Sequence, residues 1–407
     1  MAKFFYVAKD RTSRRQQGIV ESLSRETAIS ELQQRGLFVL SISSLEREEP
    51  VEVGKTHTFS HNGVRGSDLA LFARQLAVLL SSGVNLLRSL EITSAQTESR
   101  RFYFILKSVA KKVESGFSFT EAIKSYPNIF GYVWEGLIET GEASGNLGDI
   151  LNKLADYLEL KMGFMSKVIS ALIYPAILLV AGTGAVFFFS LIIIPKFESI
   201  FKQFDITLPF LTQLLFNFSN FMRNNFFWVI VLGAGLVYAV WYFFFKTDVG
   251  RNITDRAKLH MPILQKFFRI FYLERFSSIL SILLDSSVPL AYSLNISQRS
   301  IGNKEIASLI QTVGDKVKGG SSMSEELKKS GFFPPMIVEM VKVGEEVGNL
   351  PDMFARIAEH YKKSFETILE RFISLFEPLM IVFMGIIIGA VVISLFIPLF
   401  QLSTLGS

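Results

Sequence analysis

The acids in this chain whose setting suggests a task are Glu142 and Glu345. They stand in TGEASGNL (residues 140–147) and VGEEVGNL (residues 343–350), each between two glycines: Gly141 and Gly145 in the first stretch, Gly344 and Gly348 in the second. A carboxylate directly after a helix-ending glycine can accept backbone N–H groups at the turn or at the start of the next helix. It can equally present a charged corner to a docking partner or a second subunit, with Glu346 as a further acid beside Glu345. Metal coordination is the remaining chemistry. With four histidines and no cysteine there is little to complete a ligand set, and no metal or cofactor is expected.

Glu377 raises a different question, because it precedes Pro378 at the mouth of an apolar run. A charge carried to the centre of hydrocarbon costs on the order of 2.5–3.5 kcal/mol. Glu377 is therefore expected at the aqueous interface or against other helices, with partner binding as its alternative role. Catalysis finds no footing. GDKVKGG (residues 314–320) lacks the G-K-[ST] ending of a phosphate loop and falls in a predicted helix, and neither HExxH nor GxSxG occurs. An enzyme is not expected.

The elements that position these residues occur twice. Gly141 and Gly344, Asn146 and Asn349, Pro175 and Pro378, and Pro195 and Pro398 all fall at one constant offset, which marks an internal repeat. In each copy an apolar stripe comes first: Leu69, Phe72, Leu76, Leu79 and Leu80, then Phe276, Ile279, Leu280, Leu283 and Leu284. SSGVNL and DSSVPL follow as turns, with Ser287 where the first copy has Gly83, and Pro289 suits the first turn of the next helix. Gly116 and Gly320 stop helices just before SFTE and SMSE, which read as capping boxes. Further on, a helix of one to two turns is expected to end at Gly141 or Gly344, and Asn146 or Asn349 to cap its successor.

Hydrophobic residues make up 49% of the 407-residue chain, and they are concentrated in runs long enough to cross a bilayer. Three transmembrane helices are predicted, over residues 168–194, 226–245 and 372–400. In the last, Gly385 and Gly389 form a GxxxG face, and Pro175 and Pro378 mark helix packing. The remaining divisions are a small α+β unit over residues 1–45, a linker over 46–66, helical bundles over 67–167 and 246–371, an outward loop over 195–225 and a tail over 401–407. In the first unit FFYVA, GIVES and LFVLSI read as strands and residues 27–34 as a helix.

The fold class is thus mainly α: a polytopic membrane protein with two tandem helical bundles and a small α+β amino-terminal unit. The start of the chain lacks the pattern of a secretory signal. The net charge of +5 is explained by Lys246, Arg251, Arg256, Lys258, Lys266 and Arg269 after the second run and Lys362, Lys363 and Arg371 before the third. This bias predicts both bundles and the amino terminus in the cytoplasm and the carboxyl terminus outside. Lipid, not nucleic acid, is the expected partner of the basic surplus.

FARQLAVLLSSGVNL, TGEASGNL, ALIYP, IIPKF and LPFLT in the first half, with ERFSSILSILLDSSVPL, FFPPMIVEMVKVGEEVGNL, EPLMIVFMG and IPLF in the second, resemble the bacterial type II secretion protein F and type IV pilus assembly protein PilC family. The resemblance covers essentially the whole chain. It implies a non-enzymatic, multi-pass inner-membrane platform that forms homo-oligomers. It also implies contacts with a hexameric cytoplasmic ATPase, inner-membrane alignment proteins and pilins or pseudopilins. The corners Gly141, Glu142 and Gly145 and Gly344, Glu345 and Gly348 carry over as candidate contact positions, and no catalytic residue does. The competing classes are a small transporter or channel, disfavoured because ionisable residues are rare inside the runs, and a sensor or scaffold unrelated to fibres.

Overall fold

A computed structural model describes residues 2–9, 15–22, 27, 38–44, 59–203 and 209–405. It divides into two units, Met1–Ser60 and His61–Ser407. In the first, β1 (Ala2–Lys9) is central, with β2 (Arg15–Ser22) and β3 (Phe38–Ser44) antiparallel on its two sides. The register runs from Ala2 opposite Ser22 to Lys9 opposite Arg15. On the other side Phe4 lies opposite Ser44, with an irregularity between Val7 and Ala8. The three strands fall where alternating β-branched and aromatic residues put them. The helix expected over residues 27–34 and most of the 46–66 linker lie outside the described residues.

In the second unit the first copy comprises α1 (Gly66–Ser81), α2 (Leu86–Gln96), α3 (Arg100–Glu114), α4 (Phe119–Lys124), α5 (Tyr132–Ser144) and α6 (Leu147–Phe188). A π-helical segment, Phe189–Ile193, leads into α7 (Ile194–Gln203), and α8 (Phe210–Asn224) and α9 (Phe226–Lys246) follow. After α10 (Asp248–His260) the second copy comprises α11 (Pro262–Asp285), α12 (Leu290–Ser300), α13 (Lys304–Lys318), α14 (Met323–Lys329), α15 (Pro335–Val347) and α16 (Leu350–Leu405). The turn after α1 closes with Gly83 at φ +85°, and its counterpart after α11 uses Ser287 at φ +62°. The second copy thus keeps the left-handed turn and carries the strain of a side chain in it. Pro289 stands one residue earlier than expected, as the N-cap of α12.

Each copy has an aromatic core. Phe72, Phe102, Phe130 and Trp134 pack with ring centroids 5.2–6.3 Å apart, and Phe276 meets Phe333 and Phe354 at 5.1 and 6.0 Å. The two bundles interlock. Ile279, Ile282, Leu283, Val288 and Ile296 of the second copy are buried in the core of the first. Gly136 of α5 makes the fit possible, since a Cβ there would run into Ile296 Cδ1. The Arg299 guanidinium lies 3.7 Å from the centre of the Tyr132 ring, and Lys153 Nζ pairs with Asp285 Oδ2 at 2.7 Å.

The last helix of each bundle does not stop where the apolar run begins. α6 continues unbroken for 42 residues and α16 for 56. With α9, these are the three helices long and apolar enough to span a membrane among the described residues, over Leu147–Phe201, Phe226–Phe244 and Leu350–Ile397. α6 and α16 lie side by side with contacts that rise together along both chains. Phe164 meets Phe365 (5.0 Å between centroids), Lys167 Nζ meets Glu366 Oε1 (3.0 Å), and the Tyr174 hydroxyl donates to Glu377 Oε1 (3.0 Å). Gly182 packs on Met384, whose Sδ would lie 3.0 Å from an added Cβ. The two helices are therefore parallel, and both bundles lie at one end.

Within residues 195–225, expected as a loop, the described residues form helices α7 and α8 at the other end. α7 and α8 bury Phe201 and Phe216 against Val391 and Leu395 of α16. Pro195 is accommodated because it follows the π segment directly, where the backbone hydrogen bonds are already displaced. Ser219 donates its hydroxyl to the Ser190 carbonyl in that segment, and Thr212 Oγ1 donates to the Ser394 carbonyl at 2.6 Å. α9 stands apart, and its exposed Leu232, Leu236 and Tyr238 suit contact with lipid.

Candidate functional site

The glycine corners are built differently from the expectation. α5 and α15 run through Gly141 and Gly344 and end instead at Gly145 and Gly348, at φ +70° and +75°. Asn146 N–H then bonds the Gly141 carbonyl at 3.0 Å and Asn349 N–H the Gly344 carbonyl at 2.9 Å, closing the left-handed turn. Gly141 and Gly344 serve close packing. An added Cβ would meet Leu147 Cδ1 at 3.1 Å in the first copy, and Leu350 Cδ2 and Met353 Cγ at 3.0 Å in the second. Asn146 occupies the N-cap position of α6 without capping it, because its amide donates to Asp149 Oδ2 at 2.7 Å.

Glu142 and Glu345 cap a helix, but the one that precedes them in sequence. Glu142 Oε1 accepts from Phe119 N at 2.6 Å, and its Oε2 accepts from Thr120 N at 2.9 Å and Thr120 Oγ1 at 2.5 Å. Ser118 and Glu121 complete the start of α4 as a capping box. In the second copy Glu345 Oε1 accepts from Met323 N at 2.6 Å, and Oε2 from Ser324 N at 3.1 Å and the Ser322 hydroxyl at 2.7 Å. Here SMSE forms no capping box, because the Ser322 hydroxyl is turned to Glu345 as a donor and to the Ser324 hydroxyl, and accepts no backbone N–H of the helix. Burial pushes the Glu345 carboxyl up. Hydrogen bonds from Ser324 and Ser322, and from the Met323 N–H, outweigh that and hold it below the usual carboxylate range. Each corner thus pins the start of a short helix to the joint where α5 meets α6, or α15 meets α16. Glu346, by contrast, is exposed between Val343 and Val347, themselves 47% and 74% exposed.

Along the spanning helices, Pro175 and Pro378 sit inside α6 and α16 without ending them. Their preceding residues, Tyr174 and Glu377, are partners across the repeat, so the carboxylate has a hydrogen-bond donor from the first copy. Among the described residues, Gly385 and Gly389 have no atom of a neighbouring element within 4 Å of an added Cβ. The glycine that takes the close contact between α6 and α16 is Gly182, which no four-residue spacing singled out.

The largest feature missed in the sequence is a cleft of about 840 Å³ between α6, α11 and α16. Lys161, Phe164, Phe271, Glu274, Arg275 and Lys362 line its middle and its end nearest the apolar runs. Burial pushes the Glu274 carboxyl up to about 7 even though Lys362, Arg275 and Lys161 pull the other way. Burial, then the charge of Arg275, lowers Lys161, and burial pushes Tyr157 up to about 12. Glu274 follows Phe271 and precedes Ser278 at helical spacing, so a second stripe beside the core stripe was present to be read. Among the described residues no cluster of three or more His, Asp or Glu could hold a metal ion.

A duplicated helical bundle whose copies each end in a membrane-length helix, with a third such helix between them, defines a polytopic membrane protein built by tandem repetition. The family described as type II secretion system (T2SS), protein F matches residues 72–195 and 276–398, and its N-terminal domain matches residues 1–43. The chain belongs to this family. It is 35% identical over 404 residues to the type IV pilus assembly protein PilC of Thermus thermophilus, covering 99% of this chain and 98% of the relative. It is 32% identical over 409 residues to the type II secretion system protein F of Pseudomonas aeruginosa, covering both chains fully (100%). The protein F of Vibrio cholerae is 30% identical, again over 100% of both chains.

Proposed function

We propose that this chain is a platform protein of the bacterial inner membrane that couples a cytoplasmic assembly ATPase to the extraction and assembly of pilins or pseudopilins. The observation that carries the reading is the continuity of α6 and α16, each a single rod from bundle core to apolar span. Displacement of a bundle by a docked motor is transmitted along a helix without a flexible joint. The parallel packing of α6 on α16 supports placing both bundles in the cytoplasm. Residues 195–225 and the carboxyl terminus then lie on the periplasmic side. The interlocked bundles act as one body toward the ATPase, with exposed Glu346 and its apolar neighbours as a contact edge. Gly385 and Gly389, open to close approach, suit a second copy in a homo-oligomer, and inner-membrane alignment proteins complete the assembly.

A short Gly-Ser insertion after Ser166 or after Ser364 tests the coupling. With the membrane level of the protein unchanged, fibre or pseudopilus assembly is expected to be lost; assembly at the normal rate would refute transmission through these rods. Reporter fusions to the two bundles test the topology, and bundles on opposite sides of the membrane would end the platform reading.

A further inference from the structure

The cleft between α6, α11 and α16 has no task in the platform role as described, yet it has the size and lining of a ligand site. Its rim charges are already satisfied within the chain. Lys153 pairs with Asp285 (2.7 Å), Asp156 with Arg74, Asp352 with Arg356 (3.0 Å) and Glu359 with Lys363 (2.8 Å). What remains faces the cleft, with Glu274, Arg275 and Lys362 half-buried and Lys161 exposed at its edge. Among the described residues, Lys161 and Lys362 form no hydrogen bond and no ion pair. Arg275 donates through Nη2 to the Ser300 carbonyl at 2.6 Å. Among the described residues the Glu274 carboxyl also makes no hydrogen bond, and Lys362, Arg275 and Lys161 act on it through their charge alone. The cleft therefore carries an excess of positive charge together with one carboxyl in need of a donor.

The shape decides where an occupant comes from. At the end nearest the apolar runs, Phe365 packs on Phe164, Phe267 and Phe271 at ring-centroid distances of 5.0, 4.6 and 5.9 Å. This plug separates the cleft from the spans, so acyl chains cannot descend into it between α6 and α16. On the bundle side of this plug, exposed Leu160 and Met165 add an apolar wall to the open flank.

We propose that this cleft binds a soluble phosphate ester of nucleotide size. The phosphate sits on Lys161 and Lys362, a hydroxyl or amine of the ligand donates to Glu274, and the apolar body lies against Leu160, Phe164 and Phe271. The site reports to the membrane by construction, because its walls include both helices that continue into the spans. A ligand touching α6 and α16 together favours one separation of the two over others, and only such differential contact can shift a conformational equilibrium.

The test uses the full-length protein in nanodiscs of neutral lipid, titrated calorimetrically with ADP, GDP and inorganic phosphate, and in parallel the same protein in nanodiscs containing phosphatidylglycerol. Saturable binding of a nucleotide is expected, with inorganic phosphate weaker by about tenfold or more. Lys161→Gln and Lys362→Gln are each expected to weaken nucleotide binding about tenfold, and Lys107→Gln, on a distant helix, to leave it unchanged. Photocrosslinking with an azido-nucleotide is expected to label the α6 and α11 walls, which keeps the proposal testable if a lysine variant folds poorly. No saturable nucleotide binding up to millimolar concentration, or binding indifferent to both lysine substitutions, overturns it. A response to phosphatidylglycerol without one to nucleotides also overturns it and gives the site to lipid headgroups.

Discussion

Glu274→Gln isolates the energetic consequence of a carboxyl held in the cleft. In the folded protein this group titrates at about 7, raised from 4.5 by burial. Between those values the folded chain holds a proton that the unfolded chain has released, so stability falls as pH rises, and the full penalty is present above about 7. At 1.36 kcal/mol for each pH unit between the two values, the penalty is about 3 kcal/mol in alkaline solution, about a quarter of that at pH 5 and close to nil at pH 4. Glutamine keeps the shape and removes the charge. The variant is therefore expected to be more stable than the parent at pH 8, by up to about 3 kcal/mol, and nearly equal to it at pH 4. At a few degrees per kcal/mol for a domain of ordinary size, the unfolding midpoint in detergent rises by several degrees at pH 8. Equal shifts at the two pH values, or a lower midpoint at pH 8, would refute the assignment of a buried, under-compensated carboxyl. A perturbed acid inside a cleft is a mark of a candidate binding site.

Ser287→Gly is expected to stabilise the protein by about 1 kcal/mol, because the residue holds φ +62° in a turn that the first copy makes with glycine; thermal unfolding checks it. Glu345→Gln leaves the N–H groups of Met323 and Ser324 a neutral acceptor and is expected to cost about 1–2 kcal/mol at neutral pH. Since the Glu345 carboxyl is held below its ordinary range, its contribution is present above pH 4.5 and lost as pH falls through the folded value, so parent and variant converge in acid. Proteolysis at α14 as a function of pH reads this directly, and a gap that does not begin to close as pH falls below 4.5 counts against the capping role. The chain has no cysteine, so Gly182→Cys with Met384→Cys gives a clean crosslinking pair. A disulfide under mild oxidation is expected, and its absence in both detergent and membranes rejects the parallel α6–α16 packing.

Local physics made much of this chain readable without coordinates. Hydropathy over membrane-length windows gave the spans, a constant offset gave the repeat, and alternation placed the three strands. These follow from properties that each segment has by itself. Glu142 and Glu345 were visible as capping acids, but their partners lie 21 to 23 residues upstream, and nothing local says which orphan N–H groups a carboxylate will reach. The same limit explains Gly141 and Gly344, where the reason for glycine is a neighbouring helix and not the backbone angle. Residues 195–225 read as a loop because Pro195 and Pro209 interrupt short aromatic helices whose apolar faces gain a partner only at the end of α16. The cleft around Glu274 belongs wholly to tertiary structure. Its charges come from three helices far apart in the chain, and whether a lysine meets solvent, an acid or a cavity is decided by how those helices pack.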